Sequence, residues 1–445
     1  MILFNNLPDG NILMRILQVG LLIFCLFFVE SKAVQAAAEA TLANIAERYV
    51  KLVLAVGEHE PGYVDAYYGP NEWQIAIQTK TPSLPDLKAE AVSLLLALDH
   101  HKKDPKDPLA AQRLTFLNKQ LIAVKTRLRM LGGEKFSFDD ETRLLFDAVV
   151  PKVEVADLEA SLALLNTLIT GEGSLQSRFV KFREAFTIPK DRLERVFAAA
   201  ITACKDRTSA FLKLPKNEHF TAEFVTNKPW SGYNWYQGGA VSLIQVNTDL
   251  PSTIDSAVNL GCHEGYPGHH VFNTLLEVNL VNKRVWTEFS VYPLYSPQSL
   301  LAEGTASFAR AMAFPNNSQT EFEAAVLYPL AGLDSKLAQY YSDTLAALSG
   351  LRYARIEGAR RYLNGKISRD ELVTWLARYQ LTSLERAEQS VRFIETYRGY
   401  VINYALGSDL AADYVNRKAG TNISARWRAY KTLLSTPFTA SMLKQ

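Results

Sequence analysis

Between Gly261 and His270 the chain reads GCHEGYPGHH, three histidines and one glutamate in a single short stretch. Imidazoles so close together could share a metal ion, and a carboxyl beside them could act as the base of a hydrolysis. The ordinary form of this chemistry is H-E-x-x-H, in which residues i and i+4 lie on one helical face and bind one zinc. Here Pro267 stands at i+4. On an unbroken helix His269 would lie roughly 9 Å along the axis and about 120° around from His263, and His270 about 10.5 Å away. With Zn–N distances of about 2.0–2.1 Å, neither pair could hold one ion. A straight helix is therefore incompatible with a metal site. Pro267 and Gly268 supply a break, because proline removes an intrahelical hydrogen bond and glycine tolerates unusual dihedrals. The motif then parses as a turn carrying His263 and Glu264, a kink that absorbs two residues, and a histidine that swings back. On this parse His269 takes the second ligand position. His270 supports it or acts on the transition state, or the two exchange roles.

A three-ligand zinc site also needs a later residue. The run SLLAEGTASFARAMA supplies Glu303 in a helix-compatible context, flanked by small residues that would let another helix approach closely. Alone, Glu303 would read as a surface carboxylate. It gains meaning from the motif that precedes it. The histidines face a bland reading too, since a lone one is usually structural. Yet the chain has only seven, and three fall between 263 and 270 around Glu264. A second His-Glu pair, His59-Glu60, has no later histidine and reads as a helix end. The tyrosines that follow it, Tyr63, Tyr67 and Tyr68, read as packing residues.

Most of the sequence must be helical to position these groups. Apolar residues recur at three- and four-residue intervals in ATLANIAERYVKLVLAVGEHE, KAEAVSLLLALDHH, AQRLTFLNKQLIAVKTRLRMLGG, DLEASLALLNTLI and KDRLERVFAAAITACKDRTSAFLKL. Ser137 opens a further helix, and Ser368–Glu371 and Thr382–Glu385 fit the capping box. The exception is YNWYQGGAVSLIQVNTDLP at 233–251, a glycine pair joined to a β-rich run, Val241 to Thr248. It predicts a short strand or hairpin just before the histidine motif. The reading is a mainly α protein with a minor β element and a soft division near 215. It separates a helical region at 37–215 from a metal-binding region at 216–445, which together form one continuous fold.

The 445 residues carry a formal net charge of +2, which gives no reason to expect a nucleic-acid or anionic-membrane partner. After Met14 and Arg15 comes the apolar run ILQVGLLIFCLFFV, followed by small residues at cleavage positions. This is the order of a signal peptide, predicted over 1–36. It predicts export to the periplasm or the medium, with no stable membrane insertion after cleavage. Two cysteines then remain. Cys204 and Cys262 could bridge in an oxidising compartment. As a lone residue Cys262 reads as a small buried side chain rather than a ligand or nucleophile.

CHEGYPGHH, the downstream LAEG and the preceding YNWYQGGAVSLIQVNTDLP together resemble the bacterial family called Domain of Unknown Function 885. That family is regarded as mostly helical, zincin-like metallopeptidases with an HExxPGHH motif. The resemblance is strong over 233–310 and weaker at 393–407 (FIETYRGYVINYALG). It implies a large multi-helix, gluzincin-type fold and Zn2+ bound by His263, one histidine of the 269/270 pair and Glu303. It also implies Glu264 as general base and a peptide or small protein as substrate. Peptidases with H-E-x-x-G-H tolerate an inserted residue, and their ligand follows a glycine, which favours His269. Thr305 departs from the pattern, where a tryptophan is expected after Glu-Gly. For the oxyanion donor the candidates are His270, Tyr397 and Tyr404. The strand Val241–Thr248 could pair with an extended substrate, with Asn234, Trp235 and Tyr236 at the cleft mouth. The competing class is a non-catalytic, peptide-binding helical protein with a structural or vestigial metal site. A structural site needs four ligands, and Cys262 would have to be the fourth.

Overall fold

The computed structural model describes residues 41–444 apart from 102–106, 229 and 250. The signal peptide expected over 1–36 lies outside the described residues. What is described is mainly helical with five short strands.

The chain enters through α1 (Leu42–His59), started by the Thr41 hydroxyl, which accepts from the Asn44 amide. Its buried residues, among them Ile45, Tyr49, Val53 and Val56, follow helical spacing. Strand β1 (Val64–Tyr67) pairs antiparallel with β5 (Val291–Pro293), which places Ala66 opposite Tyr292. Between them run α2 (Pro108–Leu131) and α3 (Leu193–Ser209). From α2, Arg113 donates to Glu288 in a buried pair, Nη2 to Oε2 at 2.8 Å, and fixes the approach to β5.

A three-stranded sheet precedes the histidine motif, with β4 (Val241–Asn247) in the centre. Strand β2 (His219–Val225) runs parallel to it and β3 (Gly232–Gly238) antiparallel. Gly238, Gly239 and Ala240 turn the hairpin with positive φ. The expected hairpin is present. The parallel strand β2 and the β1–β5 pair were not foreseen, because their partners lie far apart in the chain. Since β4 is paired along both edges, it offers no free edge to a substrate strand. That corrects the expectation for Val241–Thr248.

Helices α4 (Ile254–Leu260) and α5 (His269–Leu276) flank the motif. After β5 come α6 (Pro297–Ala313), α7 (Ala354–Leu363), α8 (Leu384–Tyr397), α9 (Ile402–Ala419) and α10 (Ile423–Ser435). Helix α6 is sheathed by apolar neighbours, and it crosses α9 glycine against glycine. A Cβ on Gly304 would lie 2.4 Å from the Gly407 carbonyl carbon, so the backbones meet where side chains cannot fit. The Ser368–Glu371 capping box forms as expected. Thr382 does not cap the next helix. Ser383 does, accepting from the Arg386 amide.

One apolar core spans both sides of the expected division, from Ile45 to Leu443. A smaller core around Leu158, Leu165, Phe179 and Ala354 anchors the start of α7.

Candidate metal centre

The histidine segment begins as a continuation of α4. At Gly261–Gly265 the helix widens into a π turn, in which the Tyr266 amide donates back to the Gly261 carbonyl at 3.2 Å. The chain then breaks over Tyr266–Gly268 and restarts as α5 at His269. Gly268 is required here. A Cβ on it would stand 1.8 Å from the His263 carbonyl oxygen and 2.4 Å from that of Cys262. The Gly268 amide instead donates to the Cys262 carbonyl at 2.9 Å and closes the kink. Cys262 itself is bridged to Cys204 on α3, with Cα atoms 5.6 Å apart. The bridge that the sequence left open is thus formed, Cys262 is buried as expected, and its sulfur is not available as a ligand.

The break brings His263 and His269 together, Nε2 to Nε2 at 3.2 Å. From α6, Glu303 points Oε2 at both rings, 3.3 Å from His263 Nε2 and 3.8 Å from His269 Nε2. One ligand atom from each of the three residues lies within 4.8 Å of the others. Glu303 Oε1 accepts from Tyr400 at 2.7 Å, while Oε2 is buried with no hydrogen bond. A buried oxygen without a donor, facing two imidazole nitrogens, is the arrangement a bound cation would satisfy. Burial alone would raise the Glu303 pKa, but the two imidazoles outweigh it and hold it well below the usual range.

Glu264 is buried beside this group, and burial pushes its carboxyl up to about 7. His263 opposes that rise, while Glu303 and Asp65 add to it. The Glu264 carbonyl accepts from Asn234 Nδ2 at 2.7 Å, which ties the turn to β3. Gly232 on β3 makes room for the carboxyl, since a Cβ there would sit 3.1 Å from Glu264 Oε1. Sequence reasoning missed Asp65 and Tyr400. Asp65, on β1, accepts from Tyr233 and is raised to about 6 by burial, against the pull of that hydrogen bond. Asp65 belongs to no motif, and Tyr400 lies in the weakly resembling 393–407 stretch without standing out there, so the fold brings both in.

His270, expected as a catalytic partner, does not face this group. It is fully buried, with Nδ1 2.9 Å from Ser242 Oγ and Nε2 3.0 Å from Glu218 Oε2. As neighbours on α5, His269 and His270 point in directions about 100° apart, so only one can turn to His263. Tyr236 is likewise not at the mouth. It is buried and donates to Glu277. Tyr404, Tyr397, Asn234 and Trp235 do line the cavity in which the histidines lie, which measures about 770 Å³. Burial drives the Tyr404 phenol well above its usual pKa, and the nearby charge of Glu303 adds to this. Thr305, the departure from the family pattern, is fully buried and donates to the Leu301 carbonyl at 2.7 Å.

No family model and no curated protein matches this chain. Among solved structures it is similar to the "putative lipoprotein" of Colwellia psychrerythraea. The TM-score is 0.51 at 12% identity, over 83% of this chain and 70% of that one. It is also similar to the M32 carboxypeptidase of Deinococcus radiodurans R1, with TM-score 0.37 at 13% identity over 90% of each chain. The first likeness concerns the fold alone, and the second is too loose to carry an argument.

Proposed function

We propose that this chain is an exported, zinc-dependent peptidase of zincin-like, gluzincin-type build, related to Domain of Unknown Function 885. One observation carries the reading: His263, His269 and Glu303 converge in a cavity that also holds the carboxyl of Glu264. These three residues would hold the metal, which when bound supplies Lewis acidity and a water of lowered pKa. Glu264 takes the proton from the attacking water and passes it to the leaving amine, a role its raised pKa suits. Tyr404 donates to the developing oxyanion, a contribution on the order of 3 kcal/mol in comparable sites. Tyr400 fixes the rotamer of Glu303 and so the direction of its free oxygen.

A peptide or small protein is the substrate, and a net charge of +2 gives no ground for a nucleic-acid partner. The bridge from Cys204 to Cys262 weighs against a closed structural site, because it removes the fourth ligand such a site would use. It also suits the oxidising compartment to which the N-terminal run would direct the chain. Among the described residues no helix is long and apolar enough to cross a membrane.

Metal analysis of the purified protein should give about one zinc per chain, lost in His263→Ala. Glu264→Gln should keep the metal and abolish hydrolysis of a mixed peptide library. A wild type without metal, or an active Glu264→Gln, refutes the assignment.

A further inference from the structure

Arg355 lies in the first turn of α7 and lines the same cavity. Its Nε makes no hydrogen bond, and among the described residues no carboxylate pairs with its guanidinium. Arg127 differs, since it is neutralised by Glu60 at the cavity wall. Of the carboxyls that line the cavity near the metal centre, Asp65 is engaged by Tyr233 and Glu303 by Tyr400 and the histidines, while Glu264 makes no ion pair with Arg355. Arg355 Cζ sits 4.4 Å from the centroid of the Phe393 ring, a support that orients a cation without cancelling its charge. The helix start is itself held. Ala354 is buried in the smaller core, and its carbonyl accepts from Trp375 Nε1 at 2.8 Å. Burial lowers the Arg355 pKa, opposed by the nearby Tyr404 phenol and by no carboxylate.

An oriented, half-buried guanidinium without a counter-ion is costly in the free protein and rewarding once an anion arrives. Its planar fork matches a carboxylate with two parallel hydrogen bonds. We propose that Arg355 binds a carboxylate of the substrate, and that this residue selects peptides that bring such a group into the cavity. The inference rests on the peptidase reading above. A peptide offers this group from two sources, its free C-terminus or an acidic side chain.

Three forms of one acetylated peptide separate the sources: the free acid, its C-terminal amide, and the amide ending in glutamate. Wild type should favour a carboxylate-bearing form over the plain amide by about 10- to 100-fold in kcat/KM. In Arg355→Gln that ratio should collapse toward one, mainly through KM, and Arg355→Lys should restore part of it. Preference for the free acid alone identifies the terminus, and equal preference for the glutamyl amide identifies the side chain. Equal turnover of all three by wild type overturns the proposal. Calorimetric binding of the same peptides to the metal-free protein separates this result from failure of the peptidase reading. Carboxylate-selective binding that vanishes in Arg355→Gln upholds the site even without hydrolysis, and unselective binding removes it.

Discussion

Replacing Gly268 with alanine tests the kink at the heart of the site. A Cβ at this position would lie 1.8 Å from the His263 carbonyl oxygen, and Cβ contacts below 3.0 Å are essentially never seen. Something must therefore withdraw by more than about 1 Å, and both obstructing oxygens belong to backbone. That backbone is held by the disulfide at Cys262 and by the Gly268 amide, which donates to the Cys262 carbonyl. The strain should cost about 1–3 kcal/mol of stability. Metal ligation tolerates only about 0.2 Å of error, so shifting His263 against His269 should weaken zinc binding by roughly 100-fold or more. The assay is competition against a graded series of chelators, with melting of the metal-free protein followed in parallel. Gly265→Ala is the control, because a Cβ there meets side chains and no backbone, the edge of the Phe220 ring at 3.1 Å and Ile244 Cδ1 at 3.9 Å. Wild-type zinc affinity in a folded Gly268→Ala would show that the kink does not set the ligand geometry. So would an equal loss in Gly265→Ala.

Tyr400→Phe removes the hydrogen bond to Glu303 Oε1 and should cost about 10- to 100-fold in zinc affinity with little change in fold, read by the same competition. Acid stability should depend on Glu218, which burial would raise but which His270, Tyr266 and Lys205 hold down at about 2. Its contribution, about 1–2 kcal/mol once solvent screening is allowed for, is complete above about pH 4.5 and is lost as pH falls toward 2. His270 faces Glu218, Ser242 and the nearby charges of Lys205 and His219, and burial lowers its own pKa, so its protonation works in the same acid direction. Glu218→Gln should be less stable than wild type at pH 7 and should lose less of that stability between pH 5 and pH 3, as followed by urea unfolding. Parallel acid curves for the two proteins would show that Glu218 carries no such linkage.

Local patterns were legible where the physics is local. Helices such as Leu42–His59 and Pro108–Leu131 follow their apolar spacing, and Ser368 caps where its box predicts. The need for a break at Pro267-Gly268 follows from helix geometry and ligand reach alone. The small residues around Glu303 announced a close helix, which proves to be α9 at Gly407. The strand pairings were not legible, since β1 meets β5 across more than two hundred residues of chain. Asp65 and Arg355 carry no motif, Tyr400 is one of three tyrosines in its stretch at 393–407, and an arginine in RYARIEGARRYL looks like any other.

The orientation of the paired histidines marks the same boundary. From the residues, His269 and His270 could exchange roles. The tertiary structure turns His270 toward Ser242 and Glu218 and leaves His269 beside His263. Glu218 and Ser242 stand on the β2–β4 side, brought there by a parallel pairing that no short-range pattern encodes. Residue spacing alone requires a broken helix and names the residue types that could meet at the break. Which of them do meet depended on long-range packing, because burying one imidazole among polar partners decides where its neighbour points.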